Sequence, residues 1–509
     1  MGQQKVAPRR AAVLDFAGPR PQKQWQVSKL SDNFYAGWRA RTGPGQRLRE
    51  QPEPEQEPFP SEQLLQIIWQ RQRLRRDQLI TLDGRKARVL HPGFKNHEAG
   101  PDFRGAMVQI DGEPPRQGDV EVDLRSSGWR AHGHDRNPMF KHVVLHVIWE
   151  GDRAADAAIP VIALKDRLDA PLAELDEWLG RDSLKSLPED LRGQCCGPLR
   201  ELPPEKLTEL LHHAAEVRWR SKAVQFQARA RQTGWEQALW EGLFRALGYK
   251  QNVWPMHSLA ESRLQWLSLP CAPAACQARL FGVGGLLPAE LTRAQSGADV
   301  YVRRVWDQWW REREQFGDCT LPRQLWRFNN LRPANHPQRR LALAAHWLAA
   351  GDLPAKLEKW FTATLPDAAL AESLLETLQV ERDDFWSWHW TFRSARMERA
   401  QPMLGAARVT DLAVNVILPW FWMRAAEGKN GELQRVAEHR YYHWPAAEDN
   451  SVLRAARQRL LGGTKAGVLK GAAAQQGLLQ ILRDFCDHSN ALCEHCQFPE
   501  LVRDWGGTR

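Results

Sequence analysis

A chain of 509 residues is too long for a single hydrophobic core and predicts about two to four domains. Its 43% hydrophobic and 26% charged residues are the proportions of a globular protein, and no apolar run nears the ~20 residues that span a bilayer, so no membrane partner is expected. The net charge of +9 favours a polyanionic partner, nucleic acid above all.

Residues 1–60 read as a flexible basic arm running into an extended Pro-rich linker, QPEPEQEPFP (51–60), with FYAGWRAR (34–41) as a piece able to dock back on the body. The N-terminus has no charged start leading into an apolar stretch with a small-residue cleavage site, which predicts a cytoplasmic protein with reduced thiols. Ser61 then caps SEQLLQIIWQRQRL (61–74), a helix whose Leu64, Leu65, Ile67, Ile68 and Trp69 make a broad apolar face. LITLDGRKARVLHPG (79–93) predicts a β-hairpin turning at Asp83-Gly84. AMVQI (106–110) and DVEVDL (119–124) alternate as strands joined by a turn, and HVVLHVIWEGD (142–152) and IPVIALKD (159–166) add two more.

Beyond residue 170 the pattern turns helical. PEKLTELLHHAAEVRWRSKAVQFQARARQ (204–232) predicts one long amphipathic helix. GVGGLL (282–287) lacks the preceding strand of a phosphate-binding loop and predicts a helix-ending turn. The 24 Trp exceed what any one binding site could use, and predict a core packed by aromatic rings. The organisation that follows is α+β: a flexible segment 1–60, an α/β domain over 61–170, and a helical region over 171–509.

The chemistry concentrates in one stretch, from His91 to His134. Asp102 stands at the start of a strand, and on the next strand Glu121 and Asp123 share one face while Val122 points into the core. Three acids brought together repel one another and are costly to bury, so a divalent cation, Mg²⁺ or Mn²⁺, is the expected companion of Asp102 and Glu121. Such an ion lowers the pKa of a bound water and offsets charge on a phosphate under attack. His132 and His134 form an H-x-H pair able to bind a metal or to donate near a phosphate. His142 and His146 lie in an apolar strand, where satisfied structural histidines are the expectation.

This layout resembles the PD-(D/E)xK nuclease superfamily, whose restriction-endonuclease-like fold holds a mixed sheet. Pro101-Asp102 matches its Pro-Asp step, Glu121-Val122-Asp123 its acid-x-Lys triplet, and the 61–74 helix with Glu62 and Gln66 its first helix. The resemblance implies a metal-dependent nuclease with Asp102, Glu121 and Asp123 at its centre, and the H-x-H pair adds His132 and His134 as candidate site residues. The departure is that Asp123 stands at the lysine position. Either Lys95, His132 or His134 supplies the cation instead, or Asp123 is an extra ligand, or the site is degenerate. The whole chain, through NHEAGPDFRGAMVQIDG, GWRAHGHDRNPMFKHVVLHVIW, RALGYKQN, ARLFGVGGLLP and LRPANHPQRRLA, also resembles the bacterial domain-of-unknown-function family 2851.

Outside that stretch, FCDHSNALCEHCQFPEL (485–501) places Cys486, Cys493 and Cys496 at metal-ligand spacing, with His488, His495, Cys195 or Cys196 as the fourth donor. The expected occupant is Zn²⁺ or an iron–sulfur cluster, and the alternative is a set of reduced thiols. Arg218 and Lys222 on the long helix, and Arg339 and Arg340 in RFNNLRPANHPQRR (327–340), are the candidates for gripping phosphates; the second loop equally fits a polar connection whose Asn residues cap a helix. The leading functional expectation is a metal-dependent phosphodiesterase acting on DNA or RNA, or a degenerate descendant that still binds nucleic acid. The alternative is a non-enzymatic scaffold in which the polar cluster only ties loops together.

Overall fold

The protein is seen in a computed structural model that describes residues 32–41, 59–96, 98–151, 159–179, 193–267, 271–291, 300–329, 331–463, 467–486, 493 and 496–507. Most of the expected basic arm and Pro-rich linker, together with His488 and His495, lie outside the described residues.

Alternating apolar residues in the first part need a sheet, and a sheet with a buried face needs a helix to cover it. Helices α1 (Phe34–Arg41) and α2 (Glu62–Arg71) come first, followed by strands β1 (Ala87–His91), β2 (Phe94–Lys95), β3 (Phe103–Ile110), β4 (Arg116–Asp123), β5 (Val143–Ile148) and β6 (Val161–Ala163). The strand order is β1-β3-β4-β5-β6, with β2 also on β3. The β1, β3 and β4 pairs are antiparallel, whereas β4–β5 and β5–β6 are parallel, so the sheet is mixed. Ser61 caps α2 as expected, accepting from the Leu64 amide at 3.1 Å. Leu64, Leu65, Ile67, Ile68 and Trp69 then bury against Phe103, Val108, Val120, Val122 and Leu145. The expected 79–93 hairpin shrinks to an isolated Ile80–Lys86 bridge, and the buried strand after its turn pairs with β3.

Between β4 and β5 lies α3 (Gly128–Ala131), and after the sheet come α4 (Leu172–Leu179), α5 (Cys196–Glu201) and α6 (Pro204–Thr233). Pro204 opens α6 where its missing N–H costs nothing, and Gly234 closes it at φ 84°. Leu207, Leu210, Leu211, Ala214 and Val217 make its buried stripe. Gly477, in the helix Ala472–Ile481, lies so close to α6 that a Cβ there would enter the van der Waals shell of the Leu211 backbone. GVGGLL does end a helix, with Gly285 at φ 64° and the Leu286 amide donating back to Phe281 O at 2.9 Å. Leu90 and Met107, on the sheet face away from α2, pack into the large helical core with Trp240, Trp266, Trp386, Trp420 and Trp444. The Arg76–Glu261 pair, at 2.7 and 3.0 Å, ties the two layers. The FYAGWRAR helix is docked: Tyr35 and Arg39 bond Asp484, and Phe34 stacks on Trp505 at 4.7 Å.

Among the described residues no helix is long and apolar enough to cross a membrane. Four basic residues need correction. Arg339 is 0% exposed and Arg340 4%; Arg339 is spent on main-chain carbonyls and Arg340 on the Met403 carbonyl and the Asn335 side chain, so neither reaches a phosphate. On α6, Arg218 donates to Gln476 at 2.8 Å and Lys222 binds both Gln476 and Asn415, which turns these cations inward as well. Asn335 does not cap the following helix; it accepts from Arg340 and Arg408, and His336 is the cap.

Candidate functional site

The acids meet where the register places them. β3 starts directly after Asp102, and pairing of Lys95 with Phe103 sets β2 alongside that start. Lys95 Nζ consequently lies 2.6 Å from Asp102 Oδ1 and 2.8 Å from Gln66 Oε1. Gln66, from α2, donates to the same Asp102 oxygen at 2.8 Å and to Glu62 at 3.2 Å. On β4, Val120 and Val122 are fully buried in the sheet core, which turns Glu121 and Asp123 to the opposite face, as alternation requires. Glu121 Oε2 accepts from the Asp102 amide at 3.0 Å, and Asp102 Oδ2 accepts from the Val122 amide at 3.3 Å. Two amide-to-carboxylate bonds thus lock the Pro-Asp step to the Glu-x-Asp strand.

The histidines close the other side. His132 Nδ1 is 3.2 Å from Asp123 Oδ1, and His146 Nε2 is 2.9 Å from Asp123 Oδ2. His134 Nε2 lies 3.2 Å from Glu121 Oε1, yet neither ring nitrogen is aligned for a hydrogen bond, and both are buried without one. Donor atoms of Asp123, His132 and His134 all fall within 4.8 Å of one another, a spacing suited to one metal ion. A His134 Nε2 that faces Glu121 with no hydrogen bond of its own fits that use. Trp129 and Phe140 wall the histidines: Phe140 stacks on His134 at 3.9 Å, and Trp129 meets His134 and His146 edge-on or tilted at 5.5 and 5.3 Å. These two aromatics were not singled out by the sequence reading; the GW and PMF flanking H-x-H were their only signal.

Electrostatics follow from four acids in one place. Glu121 is pushed up to about 8, first by burial and then by the Asp102 charge, with the Asp102 amide pulling the other way and Asp123 and Glu62 adding to the rise. Glu62 is raised as well, by burial and then Asp102 and Asp123. Burial lowers His134 below the ordinary histidine value, which keeps its ring neutral and available as a ligand. Asp123 is 2% exposed, whereas His132 has a 55% exposed side chain and Glu62 is exposed, so the cluster opens to solvent along that rim.

All five expected site residues (Asp102, Glu121, Asp123, His132 and His134) come together, with Lys95, Gln66 and Glu62 joining them. His146, expected to be structural, is buried at the site as the second partner of Asp123. Arg218, Lys222, Arg339 and Arg340 do not join. Gly128 matters here for space: a Cβ would sit 2.6 Å from Asp123 Oδ1 and 2.7 Å from its Cγ. Gly128→Ala should push that carboxylate off both histidines, weaken any metal binding and cost about 1–3 kcal/mol of stability. Denaturant unfolding together with a metal titration checks this; a variant equal to wild type in both overturns it.

The fold and site together define a mixed α+β protein with a carboxylate–histidine cluster at one rim of its sheet. The chain belongs to a family described as Protein of unknown function (DUF2851), whose model matches residues 62–451. That span contains the entire sheet, the acid and histidine cluster, and most of the helical region. No curated protein and no solved structure matches the chain.

Proposed function

We propose that residues 61–170 form a restriction-endonuclease-like unit that hydrolyses phosphodiester bonds in nucleic acid with the help of a divalent metal. The observation that carries this reading is Lys95. The acid-x-Lys triplet has Asp123 where a lysine would orient the attacking water, and the neighbouring strand places an ammonium on Asp102 instead, at 2.6 Å. A helix, three antiparallel strands and then parallel strands, with acids at the Pro-Asp step and on the next strand, support the same reading. So does the net charge of +9.

Asp102, Glu121, Asp123, His132 and His134 would hold the ion, which lowers the pKa of a bound water and neutralises phosphate charge. Two imidazoles among carboxylates suit Mn²⁺ or another first-row transition metal better than Mg²⁺, which prefers oxygen ligands. Lys95 fixes Asp102 and presents positive charge beside the reacting phosphate, while Gln66 holds both in place. The exposed Glu62–His132 rim is where a polyanion would enter.

A second reading rests on the near-complete burial of Asp123 between His132 and His146. In it the cluster is structural and the protein a non-enzymatic scaffold. The full-length chain, incubated with supercoiled plasmid and with single-stranded DNA and RNA, should nick or degrade at least one of them with Mn²⁺ and less well with Mg²⁺. Chelator should stop it. Asp102→Asn and Glu121→Gln should each lose at least about 100-fold, and Lys95→Ala should lower kcat while still binding metal. Wild type that cuts nothing with Mn²⁺ and also ignores nucleic acid at low salt overturns the nuclease reading in favour of the scaffold.

A further inference from the structure

We infer that Cys195, Cys486, Cys493 and Cys496 form a second metal site, a tetrathiolate clasp for Zn²⁺ or an iron–sulfur cluster, which fastens the C-terminal segment to the start of α5. It is separate from the acid–histidine cluster and does not depend on the nuclease reading.

The convergence is centred on Arg459. The Gly193 amide donates to Arg459 O at 2.8 Å, and a Cβ on Gly193 would lie 3.3 Å from Cys195 Sγ and 3.5 Å from Arg459 Cγ, so the Cys195 thiol stands beside that arginine. From the other end of the chain, Cys493 Sγ receives the Arg459 guanidinium at 3.3 Å, and the Cys496 amide bonds Cys493 O at 3.3 Å. Cys195, Cys486 and Cys496 share one apolar cluster with Leu199, Phe485 and Phe498. Cys195 also lies within electrostatic reach of Cys486, Cys493 and Cys496 alike.

The meeting of these sulfurs around one buried guanidinium points to an ion. Arg459 is only 3% exposed and donates to the Cys493 thiol. Four thiolates on a divalent ion carry a net negative charge, and a guanidinium donating into them makes a charge-assisted bond that stabilises the set. Cys493 itself holds φ at +56°, in the left-handed region. No three of these sulfurs lie within 4.8 Å of one another among the described residues, so closing on an ion draws them together. The consequence is mechanical. The C-terminal helix Phe498–Gly506 packs on α1 through Trp505 and Phe34, and a clasp at its base joins three segments that are remote in sequence.

The test uses the full-length chain purified without oxygen or chelator. Elemental analysis should find about one zinc or about four irons per chain, and visible absorbance near 400 nm would mark the cluster form. Cys493→Ser and Cys195→Ser should each lose this metal, while Cys276→Ser, whose thiol lies in a different core, should retain it. Metal release by a thiol-reactive mercurial on the wild-type chain gives the same answer without a folded variant, and it should free the last ~25 residues to protease. Wild type that stays metal-free after reconstitution with Zn²⁺ and with ferrous iron plus sulfide overturns the proposal. So does full metal retention in Cys195→Ser, or a disulfide among these four residues.

Discussion

The metal-free protein should lose stability as the pH rises from about 5 to 8, and Mn²⁺ should abolish most of that loss. Glu121 is the cause: its carboxyl ionises at about 8 in the fold against an ordinary value of 4.5, driven first by burial and then by the Asp102 charge. Between those values the folded chain holds a proton that the unfolded chain has released, so unfolding becomes easier with each step in pH. The sign is therefore opposite to that of a salt-bridged acid. Stability from this group is complete below about 4.5 and gone once the pH passes 8. At about 1.4 kcal/mol per pKa unit, the loss is on the order of 3–4 kcal/mol. A cation bound by Glu121 favours the carboxylate, releases the proton and reverses the slope. Glu121→Gln cannot titrate, so the difference between wild type and this variant isolates the effect from every other group. Chemical unfolding in chelator across this pH range measures it, and two parallel curves would show that the Glu121 carboxyl ionises normally.

Local patterns carried the sequence reading where one strand or helix decides its own fate. Ser61 and the apolar run behind it sufficed for α2, and Val120-Glu121-Val122-Asp123 sufficed to put two acids on one face. Pairing was not legible. Asp83-Gly84 is a good turn, but the strand that follows buries Val89 and Leu90 only by lying against β3, so the predicted hairpin yields to the sheet. The same limit left Lys95 one of three candidate cations: nothing in FKN marks a two-residue strand, and only its pairing with Phe103 delivers the ammonium to Asp102. His134 beside Glu121 was within reach of a sequence argument, because H-x-H follows the acidic strand closely. His146 was not: its partner is chosen by parallel β4–β5 pairing across an intervening loop and short helix. The basic residues misled for another reason. A run of arginines reads as surface because a buried guanidinium is costly, and the cost is offset here by main-chain carbonyls and amide side chains that no local pattern announces.

Replacing Arg339 should unfold the helical region rather than weaken contact with nucleic acid. Arg339 sits at the start of the helix Pro337–Ala350 with 0% exposure, stacked 4.5 Å from the Trp390 ring. Its guanidinium donates to the carbonyls of Trp386 and His389 through one nitrogen, and to those of Gln401 and Pro402 through the other, both of the latter at 3.0 Å. Burial lowers it to about 10, which still leaves it charged at neutral pH. One planar fork therefore organises an irregular segment, 383–403, that has no helix or strand of its own to satisfy its backbone. Arg339→Ala leaves four carbonyls unsatisfied and a cavity against Trp390, each lost bond to a charged donor being worth about 1.5–3 kcal/mol. The total exceeds about 4 kcal/mol, a large part of the stability of an ordinary domain. Arg339→Lys should recover part of it, since an ammonium supplies charge and three donors but not two parallel pairs. The measurement is denaturant unfolding of both variants beside Arg332→Ala, a mostly exposed arginine whose ion pair with Glu448 is long, at 3.8 Å, and whose loss should change little. An Arg339→Ala protein as stable as wild type, yet weaker on DNA or RNA, would return this residue to the surface role that its sequence suggested.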